Sequence, residues 1–318
     1  MFSISTKSEN GFGIVALEEQ GSGTRVEVVP GCGAILHRFE VMQHGQLLNV
    51  IDSYDSKQQF DQEMEARGFK SAKLSPFVCR LKNGQYKYGG QSYKVKKFYL
   101  GDNAIHGLIY DQPFAVVNQE SDELKASVEM VYQYKGTDEG YPFAYDCNVR
   151  YELSAGNNLT IQTSIINRGK GIIPVCDGWH PYFSFGKSIN DCQLEFQSKE
   201  ILEFDEALIP TGKLIPYETF GSLRQIGDTF FDHCFTVNFA ECQPMLVFRD
   251  PEAGLQLEIA PKGSYPYLQV YTPDHRNSIA FENLSAAPDA FNNGMGLISL
   301  AEGAATTFET TYTLRKLS

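Results

Sequence analysis

Seven residues near the middle of the chain, Asp177-Gly178-Trp179-His180-Pro181-Tyr182-Phe183, hold a histidine, the only tryptophan and two further aromatic rings. The proline biases His180 toward an extended backbone, and side chains of an extended segment alternate between faces. Trp179, Pro181 and Phe183 are expected to point one way, and Asp177, His180 and Tyr182 the other. A histidine set beside flat apolar surface can exchange protons near neutral pH, and such surface stacks on the C–H faces of a sugar ring. A core strand with one hydrogen-bonded histidine would read the same way.

Four more residues stand out by type. Glu282 ends the apolar run Ser278-Ile279-Ala280-Phe281-Glu282-Asn283. An unpaired carboxylate is costly there, so it is either ion-paired or a base with a tuned pKa. His106, in Ile105-His106-Gly107, precedes a glycine that lets backbone or ligand approach closely. Arg80 closes an apolar run just before Asn83-Gly84 and is either a solvated strand residue or a planar donor for hydroxyl groups. Asp232 lies among aromatics, which is expensive unless it is hydrogen-bonded, as in a cap or turn. His37 and His44 have no acidic or cysteine partner nearby and read as structural or exposed.

The elements that must position these residues are strands. Short runs rich in Val, Ile, Tyr and Phe, bounded by Gly, Pro and Asn, recur from Thr24 to Leu314 with period 2. Strands are predicted at 24–29, 34–41, 47–51, 114–119, 125–134, 143–153, 160–167, 192–196, 202–204, 246–250, 255–259, 267–272, 278–283 and through 303–314. Asn83-Gly84 predicts a hairpin. Pro210-Thr211-Gly212 and Pro216 predict a break. Residues 288–294 read as a turn-rich loop, and 58–67 is the best helical candidate. One all-β antiparallel domain of stacked sheets spanning 1–318, with few short helices, accounts for this pattern.

The totals exclude several functions. A formal net charge of -12 and a pI near 5.0 would repel nucleic acid and anionic membrane surfaces. No run approaches the ~18 apolar residues of a membrane span, and the first ten residues lack the apolar core of a secretory signal. The seven scattered cysteines contain no CxxC pair, which predicts reduced, mostly buried thiols in a cytoplasmic protein and no zinc site. HxH and HxxxH spacings, GxGxxG after a strand, P-loop and GxSxG are all missing, so no metal or organic cofactor is expected.

Together these residues resemble the aldose 1-epimerases, or mutarotases, across nearly the whole chain. The resemblance rests on Arg80 in Pro76-Phe77-Val78-Cys79-Arg80-Leu81, His106 in Ile105-His106-Gly107, His180 in His180-Pro181-Tyr182-Phe183, Asp232 in Phe231-Asp232-His233-Cys234-Phe235, and Glu282 in Ala280-Phe281-Glu282-Asn283 with Pro288-Asp289-Ala290-Phe291-Asn292 after it. It implies a β-supersandwich that binds a free aldose in a broad cleft, and a monomer or homodimer is expected for a chain of net charge -12. The implied roles are Glu282 as base, His180 as acid, His106 as a further donor, and Arg80 and Asp232 as holders of hydroxyls. Galactose mutarotases usually carry Asn where Cys79 stands, Gly where Leu108 stands, and Asn-Leu where Ser184-Phe185 stands. A less characterised branch is therefore implied. A sugar 6-phosphate epimerase, with Arg249 or Arg276 serving the phosphate, and a non-catalytic sugar-binding protein are the alternatives.

Overall fold

The computed structural model describes residues 1–317. The expected all-β architecture is present, and every ladder between strands is antiparallel. A nine-stranded sheet runs from Ala115–Ser121 through Lys125–Tyr134, Tyr145–Ser154 and Asn158–Asn167 to Ala305–Lys316, then on through Leu255–Pro261 and Leu246–Asp250. Facing it is a second large sheet. In spatial order it holds Pro210–Pro216, Ser198–Phe204, Asp232–Val237, Tyr267–Tyr271, Ile279–Leu284, Gly178–His180 and Ala72–Leu74. A five-stranded meander over residues 2–49 packs its first two strands against Ala115–Ser121, Lys125–Tyr134 and Tyr145–Ser154.

The two large sheets meet through aromatic rings. Trp179 lies 5.9 Å from Tyr151, Phe183 5.3 Å from Tyr312, and Phe281 5.5 Å from Phe248. All six are essentially buried, each removing a large apolar area from water. Trp179 and Phe183 therefore build the core instead of offering a surface to a ligand. Because strands alternate, their neighbours His180 and Tyr182 face the opposite side of the second sheet.

Asp177 departs from the expected side. It shares the core face with Trp179, as the period-2 rule demands for two odd positions. There its carboxylate takes a 2.5 Å contact from Lys73 Nζ and a 2.7 Å hydrogen bond from the Tyr265 hydroxyl. Lys73 is paired in register with Trp179 and sits 4.4 Å from its ring centre.

Three local expectations are corrected. Asn83-Gly84 sits in a single 3-10 turn, and the hairpin that follows turns at Gly89-Gly90 between Gln85–Tyr88 and Gln91–Lys94. Pro210 and Pro216 do not break the sheet but bound its edge strand, where a missing N–H costs no ladder bond. The helix spans Lys57–Glu63, shorter than expected, and starts at Ser56, whose side chain accepts from the Gln59 amide. The 288–294 loop also contains a single helical turn, Ala290–Asn293. Six cysteines are buried and free, and Cys242 is exposed. Among the described residues no helix is long and apolar enough to cross a membrane.

Candidate active site

Strand register gathers the candidate residues on one face. Gln269 stands opposite Glu282, Cys234 opposite Gln269, and Asp232 opposite Tyr271. Residues two apart share a face, so Asp232, Gln269, Tyr271 and Glu282 form a patch on three adjacent strands. Gly178–His180 and Tyr182–Phe183 pair with the far side of Ile279–Leu284 and add His180 and Tyr182. The polar residues on the strands are affordable because they line a cleft of about 210 Å³.

Arg80 and His106 arrive from a smaller sheet. Arg80 pairs with Ile105, and the His106 amide donates to the Cys79 carbonyl at 2.8 Å. His106 has φ +61° and Cys79 has φ +47°. These are left-handed conformations that non-glycine residues rarely adopt. The turn continues into Gly107 at φ +82°, where a Cβ would fall 2.1 Å from the Ser75 carbonyl oxygen. The glycine thus serves a close backbone approach rather than a ligand. Gly107→Ala is expected to destabilise the protein by several kcal/mol, through backbone overlap and the left-handed φ, and to displace His106. A urea unfolding curve with an unchanged midpoint would contradict this.

All five candidates, Arg80, His106, His180, Asp232 and Glu282, line the one cleft. His180 Nε2 lies 3.2 Å from Glu282 Oε1. The His106 and His180 rings meet edge-on at 5.0 Å, and Tyr182 stacks parallel to His180 at 5.0 Å. Gln269 Nε2 donates to Asp232 Oδ1 at 2.9 Å. The Cys79 thiol is 3.9 Å from Glu282 Oε2. Buried Nδ1 atoms of both histidines and Oε1 of Gln269 have no protein partner. Such groups are expensive to leave unsatisfied.

Burial sets the proton chemistry. It pushes His180 down to about 3. It holds His106 well below the usual imidazole range, with the neighbouring His180 and Arg80 adding to the effect. Burial lifts Glu282 well above the ordinary carboxylate range; the Asp232 carboxylate adds to the rise and Arg80 opposes it. Asp232 is raised for the same first reason, with Arg80 again opposing. Burial disfavours charging either member of the His180–Glu282 pair alone, and their 3.2 Å contact lets one proton pass between them. Moving that proton from Glu282 to His180 converts a neutral pair into an ion pair without taking anything from solvent.

Several lining residues carried little sequence signal. Gln269 is one: a lone amide within the apolar run Tyr267-Leu268-Gln269-Val270-Tyr271 was the available clue. Phe204, Leu208, Leu100 and Pro288 also line the cleft, and none of them has a side chain whose chemistry marks it as a site residue.

The chain resembles known proteins over most of its length. Residues 17–313 match the sequence profile of the family described as aldose 1-epimerase. An aldose 1-epimerase of Streptococcus thermophilus is 25% identical over 313 residues, covering 87% of each chain. The uncharacterized protein YihR of Escherichia coli is 27% identical over 237 residues, covering 72% of this chain and 74% of its own. A galactose mutarotase-like protein of Clostridium acetobutylicum superimposes with a TM-score of 0.85 at 17% identity over 99% of both chains, which speaks to the fold alone. A profile match over nearly the whole chain, on a mutarotase-like sandwich, makes this protein a member of the aldose 1-epimerase family.

Proposed function

We propose that the protein interconverts the α and β anomers of a free aldose by opening and reclosing the hemiacetal ring. The observation that carries this reading is the 3.2 Å contact between His180 Nε2 and Glu282 Oε1. Mutarotation needs a base on the C1 hydroxyl and an acid on the ring oxygen. Both oxygens are bonded to the same carbon, so the two catalytic groups must stand side by side. Glu282 takes the C1 hydroxyl proton as C1 becomes a carbonyl carbon. The C1–ring-oxygen bond breaks, its electron pair stays on the oxygen, and His180 supplies the proton there. Rotation about C1–C2 then presents the other carbonyl face, and the same steps run backwards. The pair again ends with one proton, so each turnover regenerates it. His106 donates to the ring oxygen or an adjacent hydroxyl. Arg80 and the Gln269-braced Asp232 fix the remaining hydroxyls.

The lining favours a neutral sugar over a sugar phosphate. Arg80 is its single Lys or Arg, against Glu65, Asp232 and Glu282. Arg276 is committed to Asn190 and to the Thr229 and Gly227 carbonyls, and Arg249 to Gln256.

Polarimetry on freshly dissolved α-D-glucose and α-D-galactose tests the proposal. Faster decay to the equilibrium rotation is expected with at least one of them, and no acceleration by any neutral aldose would overturn it. The pH profile is a second check. His180 sits near 3 and Glu282 is raised well above the ordinary carboxylate range, so the pair keeps one proton between those two limits. The rate should fall only below about pH 3, where the pair gains a second proton, and above Glu282's raised pKa, where it loses the first. After subtraction of the spontaneous reaction, kcat/KM should therefore show no imidazole limb near pH 6.5. A limb centred there would mean an exposed, ordinary imidazole.

A further inference from the structure

A histidine in a working site is commonly aimed by a hydrogen bond at its second ring nitrogen. Here both rings are buried, yet neither Nδ1 has a partner residue. Their planes are fixed instead by a closed circuit of contacts. Tyr182 stacks on His180 at 5.0 Å, with 8° between the rings. His180 meets His106 edge-on, and His106 meets Phe69 edge-on at 4.7 Å. The backbone joins Phe69 to Gly68. The Tyr182 hydroxyl donates a 2.9 Å hydrogen bond to the Gly68 carbonyl and closes the circuit.

The segment Gly68–Ser71 is shaped for this task. Gly68, Phe69 and Ser71 have left-handed φ values of +76°, +57° and +56°. Such strain persists only where the surroundings over-determine it. A Cβ at Gly68 would fall 2.5 Å from the Tyr182 hydroxyl oxygen, so a side chain there would push the tyrosine away. Two further ties bind the segment to the histidine strand. The Ser71 amide donates to the His180 carbonyl at 2.8 Å. Lys70 pairs with Asp52, whose own amide donates to the Tyr182 carbonyl at 2.9 Å.

Resting on the mutarotase reading, we propose that Tyr182 and Phe69 are positioning residues, a brace that clamps the two imidazoles from opposite ends and sets their angle to each other. Aromatic rings prefer the parallel-offset and edge-on arrangements found along this circuit, so each ring fixes the next. The brace acts on the sugar through His180 and His106. Its loss should therefore slow the chemical step and leave substrate affinity nearly untouched, since a displacement of about 1 Å at a reacting group can cost on the order of 100-fold in rate.

Polarimetric kinetics on a short series of variants tests the brace. Tyr182→Phe keeps the stack and removes only the tie to Gly68, so kcat should fall about fivefold; Tyr182→Leu loses the stack as well and should fall about fiftyfold, with KM within about twofold in both. Gly68→Ala should cost about twentyfold in kcat by pushing on the hydroxyl. Adding Tyr182→Phe to it should bring kcat back up to the level of Tyr182→Phe alone. The urea midpoint of that double variant should stay low, because alanine still holds a left-handed φ. A tyrosine that served stability alone would show no such recovery of rate. Wild-type kcat in a folded Tyr182→Leu, or a Gly68→Ala loss that Tyr182→Phe deepens, would overturn the brace while leaving the reaction standing. If the wild type turns over no neutral aldose faster than buffer does, the reaction assignment falls and the brace falls with it.

Discussion

Glu282→Gln is expected to fold as the wild type does and to lose about three orders of magnitude in kcat, the scale of an acid–base contribution. The side chain is only 2% exposed, and burial already favours its uncharged form. A neutral amide of nearly the same shape therefore does not add a buried charge, and its Oε1 can still accept from His180. What it cannot do is receive a proton from the C1 hydroxyl. The urea midpoint should hold or rise slightly while polarimetric turnover collapses. Near-wild-type rates in a folded variant would remove Glu282 from the base role.

The largest expected loss of stability comes from a residue that does not line the cleft. Lys73 and Asp177 are both fully buried and are paired at 2.5 Å. Burial raises the Asp177 carboxyl, and Lys73 is the chief influence opposing that rise. Lys73→Met deletes the partner and leaves a carboxyl deep in the core, with only the Tyr265 hydroxyl and the Ser285-linked backbone around it. The expected cost is about 3–5 kcal/mol. Lys73→Met with Asp177→Asn should recover much of it, because no uncompensated charge then remains. Chemical denaturation of the single and double variants measures both effects. A loss below about 1 kcal/mol in the single variant would mean that water reaches the pair. Turnover should fall in the single variant as well, since Asp177 and His180 belong to one short segment.

Much of this was legible in the sequence because strand signals are local. Alternation and turn residues located many strands to within a few residues, as at Thr24–Val29 in the meander and Lys125–Tyr134 in the nine-stranded sheet. The failures came where a distant partner decided the outcome. Arg80–Leu81 pairs with Asn103–Ile105 instead of folding back over Asn83-Gly84. Pro210–Pro216 is a strand because it lies at a sheet edge, a position that no window of sequence reveals. The site shows the same division. Histidine, arginine and carboxylates in apolar runs drew attention by their chemistry, and the fold brings all five to one cleft. Gln269, Tyr271 and Leu208 became visible as lining only through register and loop placement. Asp177 was given the wrong face because it was grouped with His180 by polarity when its odd position placed it with Trp179.

The left-handed backbone at Cys79 and His106 has a consequence for how such a protein can change over generations. Each such residue costs roughly 1–2 kcal/mol relative to a relaxed backbone. Mutations that relieve it, to glycine or asparagine, are therefore within easy reach of drift and would make a hardier protein. At His106 the same mutation would remove a ring from the cleft. Selection for heat tolerance and selection for turnover thus pull in opposite directions at that position, and a lineage that lost its substrate would be expected to give up the histidine early while keeping the sandwich.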